Sequence, residues 1–429
     1  MDQNSVENLP RRTFLKNAGI ASGVMILDSR IVRGTEANSA VRVGLLGCGG
    51  RGTTDATSMV NSAPARIVAL ADLFDDRLAA ARKHFDELAA SKGHAAIDAS
   101  QLFRGPRSSE EMFASKQVDA VIIATPPYFH PEHLAAAVAA GKHVYCEKPV
   151  AVDVPGTRRV AEAAKKAQGR VSLDVGFQIR KAPPFVELVR RIHEGALGQI
   201  ACGEAHYNCG FIEMPDYPGA SPKVLRLRHW LHDRVLSGDI IVEQNIHAID
   251  ICNWVLEGHP LRAVATGGRK GRTESPGDAW SHFNVVFFYP NDVHVSFSST
   301  QFGANPAFDV NERFFGEKGS SESPYSGPLG ISGENKWTWQ GSQAPATGGF
   351  SASGSFSDNL AQADSEKHAD FIHSITSGQF HNQAADGIDS ALTCMLGRTA
   401  AYTNRPVTWD ELVRSNEAWE SGIDIFNLS

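Results

Sequence analysis

The sequence predicts an α/β protein, with a doubly wound parallel sheet in its N-terminal part and an antiparallel sheet in the remainder of the chain. Three observations carry this. Short apolar runs alternate with helical patterns from residue 41 to about residue 175, as a parallel sheet covered by helices requires. The first of those runs breaks into glycines at a strand end. Beyond residue 260, three longer strand-like segments succeed one another, and two are joined by Tyr289-Pro290-Asn291-Asp292, a turn suited to antiparallel pairing.

The opening strand, residues 43–46, runs into Gly47-Cys48-Gly49-Gly50-Arg51-Gly52, after which residues 53–60 continue as a helix. In this G-x-G-x-x-G pattern Gly47 makes the tight turn, Gly49 lets the backbone approach a pyrophosphate, and Gly52 lets helix pack on strand. Phosphates at such a place meet the free N–H groups and the dipole of a helix N-terminus. A second strand, residues 65–71, ends in Asp72, where a carboxylate accepts hydrogen bonds from both hydroxyls of an adenosine ribose. Together they predict a dinucleotide site, with Gly50 and Arg51 in the same turn. Asp72 favours NAD over NADP, because a 2′-phosphate would lie against a carboxylate. The plain structural alternative is that Asp72 caps the helix beginning at Asp75-Asp76.

The remaining elements come in order. Residues 75–90 read as a charged, Ala-rich helix, 118–125 as a buried strand, 131–140 as a helix and 142–146 as a strand. A helix over 155–168 and a strand over 171–175 complete a Rossmann-type domain spanning 38–175. In the second domain, 176–429, residues 185–195 are amphipathic and 200–208 extended. Residues 240–256 form a helix ended by Gly258 and Pro260, and 261–267, 282–289 and 293–300 are the strands. Residues 316–354 are rich in Gly, Ser and Pro, which fits a flexible insertion or irregular loops over the sheet. Helices within 365–404 close the chain.

A chain of 429 residues exceeds one ordinary core, in keeping with two domains. Its 42% hydrophobic and 21% charged residues describe a globular protein, and the net charge of -7 argues against nucleic acid or an anionic membrane as partner. The six cysteines show no C-x-x-C pair and no metal-type spacing. Cys48 and Cys146 read as small buried side chains, while Cys202 and Cys209 are open to a bridge in an exported protein. Arg11-Arg12-Thr13-Phe14-Leu15-Lys16 precedes a weakly apolar stretch, 18–27, too short to span a membrane. It resembles a twin-arginine export signal, with a small-x-small cleavage site at Thr35-Glu36-Ala37. A disordered basic arm is the alternative. The expectation is a signal peptide over 1–37 and a periplasmic or otherwise exported mature chain that is not inserted in a membrane.

Three strand ends then carry a resemblance: the Gly-rich turn, Thr125-Pro126-Pro127, and Glu147-Lys148-Pro149. With Gly176-Phe177-Gln178-Ile179-Arg180, the segment 238–254, Gly397-Arg398 and Pro406-Val407-Thr408-Trp409, the chain is similar to the glucose–fructose oxidoreductase / inositol dehydrogenase / MocA family. The resemblance implies a C-terminal α/β domain with a large, mainly antiparallel open sheet, bound NAD or NADP, and chemistry on the hydroxyls of sugars and cyclitols. It also implies that Thr125, Pro126 and Glu147 lie at the cofactor, and that the chain forms a homo-oligomer, a dimer or tetramer. Lys148 and His247 match the family's catalytic lysine and histidine, and Glu243 stands where the family has aspartate.

The chemistry of these residue types agrees. Lys148 closes a strand at the edge where open α/β sheets bind ligands, and there it can stabilise a developing oxyanion. Glu243, His247 and Asp250 are spaced to share one helix face. Histidine is the natural proton acceptor near neutral pH, and Glu243 is placed to orient it. An ion pair of Lys148 with Glu147, or an ordinary acid–His surface pair, is the plain alternative. Glu243 and His247 lack a third ligand, so no metal is expected. Arg180 is a candidate substrate or cofactor contact and Trp230 either a sugar-stacking face or a core aromatic; His130 and His133 read as structural. The sequence thus points to an NAD(P)-dependent oxidoreductase for a small carbohydrate or polyol, with tightly held cofactor. A glycoside hydrolase or lyase working through transient oxidation, and a non-catalytic sugar-binding relative, are the rival readings.

Overall fold

A computed structural model describes residues 40–270, 277–303, 308–340 and 357–428. The twin-arginine segment and residues 341–354 of the Gly/Ser-rich stretch lie outside the described residues. The first sheet comprises β1 (Val41–Leu46), β2 (Ala65–Asp72), β3 (Leu102–Arg104), β4 (Ala120–Ile123), β5 (His143–Cys146) and β6 (Leu173–Val175). All six are parallel, in the order β3-β2-β1-β4-β5-β6. The apolar runs form its middle because both faces are covered: Val43, Leu45 and Val121 to Ile123 are fully buried. Strand order reverses between β1 and β4, which opens a crevice beyond their C-terminal ends. The chain leaves β1 through Gly47 at φ +93°, where an added Cβ would lie 2.5 Å from the Ala124 carbonyl oxygen. At Gly52 a Cβ would come within 2.2 Å of the Gly47 oxygen, so no larger residue fits either turn.

The second sheet has nine strands. These are β7 (Ile200–Cys209), β8 (Arg262–Gly268), β9 (His282–Phe288), β10 (His294–Gln301), β11 (Asp309–Gly316), β12 (Gly319–Glu322), β13 (Gly330–Gly333), β14 (Trp337–Thr338) and β15 (Val407–Thr408). Their order is β14-β13-β12-β11-β7-β10-β9-β8-β15, and only the central β7–β10 pair is parallel. The fold class is therefore as expected, α/β with a parallel Rossmann sheet and a mixed, mostly antiparallel one. The turn at Tyr289 to Asp292 joins β9 to β10, with Asn291 and Asp292 both at φ 60°. Part of the Gly/Ser-rich stretch is regular after all: β12, β13 and β14 extend the sheet at one edge.

One expectation needs correction, and one open question is answered. Residues 240–256 form two helices, Ile240–Glu243 and Ile246–Val255, because the Asn245 N–H reaches back five residues to the Ile240 carbonyl. Such a widened turn rotates everything after it, so Glu243 leaves the face that His247 and Asp250 share on the second helix. Asp250 is held there by Arg180 and Ser390. Cys202 and Cys209 are both free, and lie seven residues apart on β7, one exposed and one buried. An odd separation along a strand places them on opposite faces, out of bridging reach. Among the described residues no helix is long and apolar enough to cross a membrane.

Candidate active site

The loops after β1, β2, β4 and β5 open onto one cavity of about 450 Å³, whose far wall comes from the second domain. Every residue that the sequence assigned to catalysis, cofactor or substrate lines it except Gly52 and Arg180. The Gly-rich turn fits a dinucleotide. An added Cβ on Gly49 would meet nothing within 4 Å, so the backbone there is open to a ligand. No side chain caps the helix Gly50–Ser62, which leaves its first N–H groups to a phosphate. Asp72 accepts hydrogen bonds from the Cys48 N–H (2.7 Å, Oδ2) and the Phe74 N–H (2.9 Å, Oδ1). Burial raises its pKa, while those N–H groups and the nearby Arg77 and Arg228 oppose the rise. The capping alternative does not hold, since no side chain caps the helix Asp75–Ser91; Asp72 accepts from the residue before that helix while staying on the cavity wall.

At the other end lie Lys148, Glu243 and His247. Lys148 donates to the Glu243 carbonyl oxygen at 2.7 Å and to its Oε1 at 3.0 Å. Their side chains are 12% and 13% exposed, so the pair is shielded but reachable from the cavity. Glu243 therefore orients Lys148, not His247 as the helical spacing suggested; the widened turn separates the two. His247 is half-buried, and its Nδ1 has no partner among the described residues. Burial and the Lys148 cation push its pKa well below 6.5. A neutral imidazole with an open nitrogen beside a lysine cation can take a proton from a hydroxyl held by that lysine.

Glu147 and Arg51 line the cavity and also enter an ion cluster. Arg51 pairs with Asp55 (2.8 Å), Asp364 (3.0 Å) and Glu147 (3.3 Å), and Glu147 also receives Lys367 at 3.5 Å and the Tyr145 hydroxyl at 3.3 Å. His130 fits its structural reading: its two ring nitrogens lie 2.7 Å from the carbonyl oxygens of Thr125 and Pro149, which ties the two strand-end loops together. His133 sits 3.1 Å from the Thr125 hydroxyl. Trp230 lines the cavity.

Arg180 is a correction. It forms a bidentate pair with Asp250 at 2.8 and 2.9 Å, lies 3.3 Å from Asp386 and packs over Phe177 and Trp254. These partners hold it in a second, smaller cavity, away from the cleft. Its neighbour Gln178 lines the cleft instead. Sequence reasoning also missed Tyr207 and Tyr325 on the cleft wall. Tyr207 was accessible from the alternation of β7, whereas Tyr325 lies in the Gly/Ser-rich stretch, which gives no periodic signal. Among the described residues the one group in metal-ligand reach is Asp174, Asp370 and His381, none of which lines the cleft. Lys181 already pairs with Asp370 there at 2.5 Å.

A Gly-rich turn at a topological switch point, facing a lysine and a neutral histidine across one cavity, belongs to an NAD(P)-dependent oxidoreductase acting on CH–OH groups. The comparisons agree. Residues 41–175 match the Gfo/Idh/MocA model described as an oxidoreductase family with an NAD-binding Rossmann fold, and residues 185–322 match a C-terminal domain model of the same family. Together these span more than half of the chain, which belongs to the Gfo/Idh/MocA family. Inositol 2-dehydrogenase 4 of Saccharopolyspora erythraea is 27% identical over 379 residues, 88% of this chain and 98% of that protein. Among solved structures, aldose-aldose oxidoreductase from Caulobacter crescentus, complexed with glycerol, is 18% identical with a TM-score of 0.66, covering 86% of this chain and 99% of that one. Levoglucosan dehydrogenase, in complex with NADH and L-sorbose, is 19% identical with a TM-score of 0.67, over 87% and 99% of the chains. Such identities establish the shared fold.

Proposed function

We propose that this protein is an exported enzyme that oxidises or reduces a hydroxyl or carbonyl group of a sugar, polyol or glycoside, using NAD that it does not release between turnovers. The observation that carries the reading is Lys148, fixed by Glu243, beside a neutral His247 in the cavity of the Gly-rich turn. In the oxidative direction Lys148 holds the reacting oxygen and stabilises its developing negative charge. His247 takes the hydroxyl proton, and NAD held by the Gly-rich turn and Asp72 would supply the hydride acceptor when bound. Trp230, Tyr207 and Tyr325 give the cavity the aromatic walls that a ring of hydroxyl-bearing carbons packs against. Relatives named for inositol, levoglucosan and aldoses support a polyhydroxy substrate. Asp72 supports NAD over NADP.

Export rests on Arg11-Arg12 and the weakly apolar stretch behind them. Replacing both arginines with lysine should leave the full-length chain unprocessed in the cytoplasm, and normal processing of that variant would refute the signal. An exported enzyme has no external nicotinamide pool, so its cofactor is loaded before export and recycled in place. Retention over days calls for a Kd of about 1 nM or below, roughly -12 kcal/mol. The expected result is that extensively dialysed protein, once denatured, releases near-stoichiometric NAD(H) and no NADP by mass spectrometry. It should also turn over paired sugar and carbonyl substrates without added nucleotide. Empty protein that works only with added NAD would reject the trapped cofactor, and released NADP would reject the role of Asp72.

A further inference from the structure

Around Asp72 the cleft is walled from both domains: Phe74 and Arg77 on one side, Pro215, Leu227 and Arg228 on the other. These walls are fastened to each other. The Arg228 guanidinium, on the short helix Pro222–Arg228, lies 3.7 Å from the centre of the Phe74 ring and 4.6 Å from that of Tyr217. It grips Asp76 with both terminal nitrogens, at 2.5 and 2.8 Å. Arg77 in turn donates to the Tyr217 hydroxyl at 2.8 Å. Cations stacked on aromatic faces and bidentate guanidinium–carboxylate pairs are both geometry-demanding contacts.

The helix is itself backed by the chain's last residues. Ser221 Oγ donates to the Leu428 carbonyl at 2.6 Å, Lys223 to that of Asn427 at 2.9 Å and Arg226 to that of Ser421 at 2.9 Å. From this tail Ile425 reaches the cavity wall. The Ser421 N–H meets the Tyr128 hydroxyl of the first domain at 3.4 Å. None of these residues is near Lys148 in the hydrogen-bond pattern, so the chemistry does not call for them.

We propose that Tyr217 and Arg228, braced by the C-terminal tail, latch the second domain over the adenosine end of the cleft and set the rate at which the dinucleotide leaves. This rests on the proposed function, in which the cleft holds NAD. Leaving then requires the Arg228–Asp76 and Arg77–Tyr217 links to open together. Asp76 is 58% exposed while Arg228 is 11% exposed, so salt reaches the carboxylate and should speed release by screening it.

The test is the rate at which NADH fluorescence is lost when loaded holoenzyme is mixed with excess NAD, read as the ratio of variant to wild type. Arg228→Ala should release NADH about tenfold faster or more, and Arg228→Lys, which keeps the charge but not the planar fork, should still be severalfold faster. Asp76→Asn should act the same way to a smaller extent, because it leaves the stacking of Arg228 in place, and the double variant with Arg228→Ala should be no faster than Arg228→Ala alone. Tyr217→Phe deletes one hydroxyl and keeps the ring, so it serves if Arg228→Ala does not fold. Release within about twofold of wild type in both Arg228→Lys and Tyr217→Phe overturns the latch. Wild-type protein that exchanges NADH within seconds would instead sink tight retention, and the ratio would still decide the latch. A chain that binds no dinucleotide refutes both.

Discussion

Replacing His247 with asparagine should lower kcat by about 100- to 10,000-fold while the protein still folds and binds nucleotide. The side chain is of similar size, and the His247 Nδ1 whose place the amide takes has no partner among the described residues, so no internal hydrogen bond is broken there. What is lost is the proton acceptor. The pH dependence separates this from a packing effect. Burial and the Lys148 cation hold the imidazole pKa below 6.5, and only the neutral form accepts a proton. Activity in the oxidative direction should therefore persist as pH falls through 6.5 and decline only at lower pH, a limb that the asparagine variant lacks. Lys148→Ala should produce a loss of similar size for a different reason, since the reacting oxygen then meets no cation. It also leaves Glu243 without its partner at 3.0 Å, so a small drop in stability accompanies it. Near-normal turnover in either variant would show that the proton or the oxyanion is handled elsewhere.

How far the sequence led can be read from individual elements. The parallel sheet was legible because β1, β2, β4 and β5 are apolar runs that end in glycine, aspartate or proline, and each of those ends has its own chemistry. Three-residue β3 was missed because a strand that short has no periodicity. β11 was missed because Asp309-Val310-Asn311-Glu312-Arg313 looks polar on both faces, although Glu312 is fully buried and accepts from the Ser323 hydroxyl. At the site, residue types were legible and pairings were not. Lys148 and Glu243 are 95 positions apart, and the local spacing of Glu243 to His247 suggested a partner that the widened turn removes. Arg180 was drawn to the wrong cavity by a motif whose neighbouring Gln178 is the residue on the cleft. Asp364, Lys367 and His368 read simply as polar positions on a closing helix, since no local pattern reveals that their partners lie some 220 to 310 residues earlier.

That hidden cluster sets the second large effect. Lys367→Met should destabilise the fold by about 3–5 kcal/mol, the range for removing one partner from a buried ion group. Lys367 is 3% exposed, and its Nζ lies 3.1 Å from Asp364, 3.3 Å from Asp55 and 3.5 Å from Glu147. With Arg51 contacting the same three carboxylates, the cluster holds three acids on two cations. Methionine keeps most of the volume and removes one cation, which leaves three buried carboxylates around a single guanidinium. Asp55 and Asp364 are both held well below their ordinary pKa by Arg51 and Lys367 against the opposing effect of burial, so the substitution removes part of what keeps each of them charged. Arg51 and Asp55 lie on the helix that starts at the Gly-rich turn, and Glu147 precedes Lys148. The variant should accordingly loosen nucleotide binding as well as lower the denaturant midpoint. Adding Asp364→Asn removes one acid and restores the balance of charge, so the double variant should be more stable than Lys367→Met alone. Chemical denaturation of the two variants beside the wild type decides it: an unchanged midpoint for Lys367→Met, or a double variant less stable than the single one, would mean that the cluster is not coupled in this way.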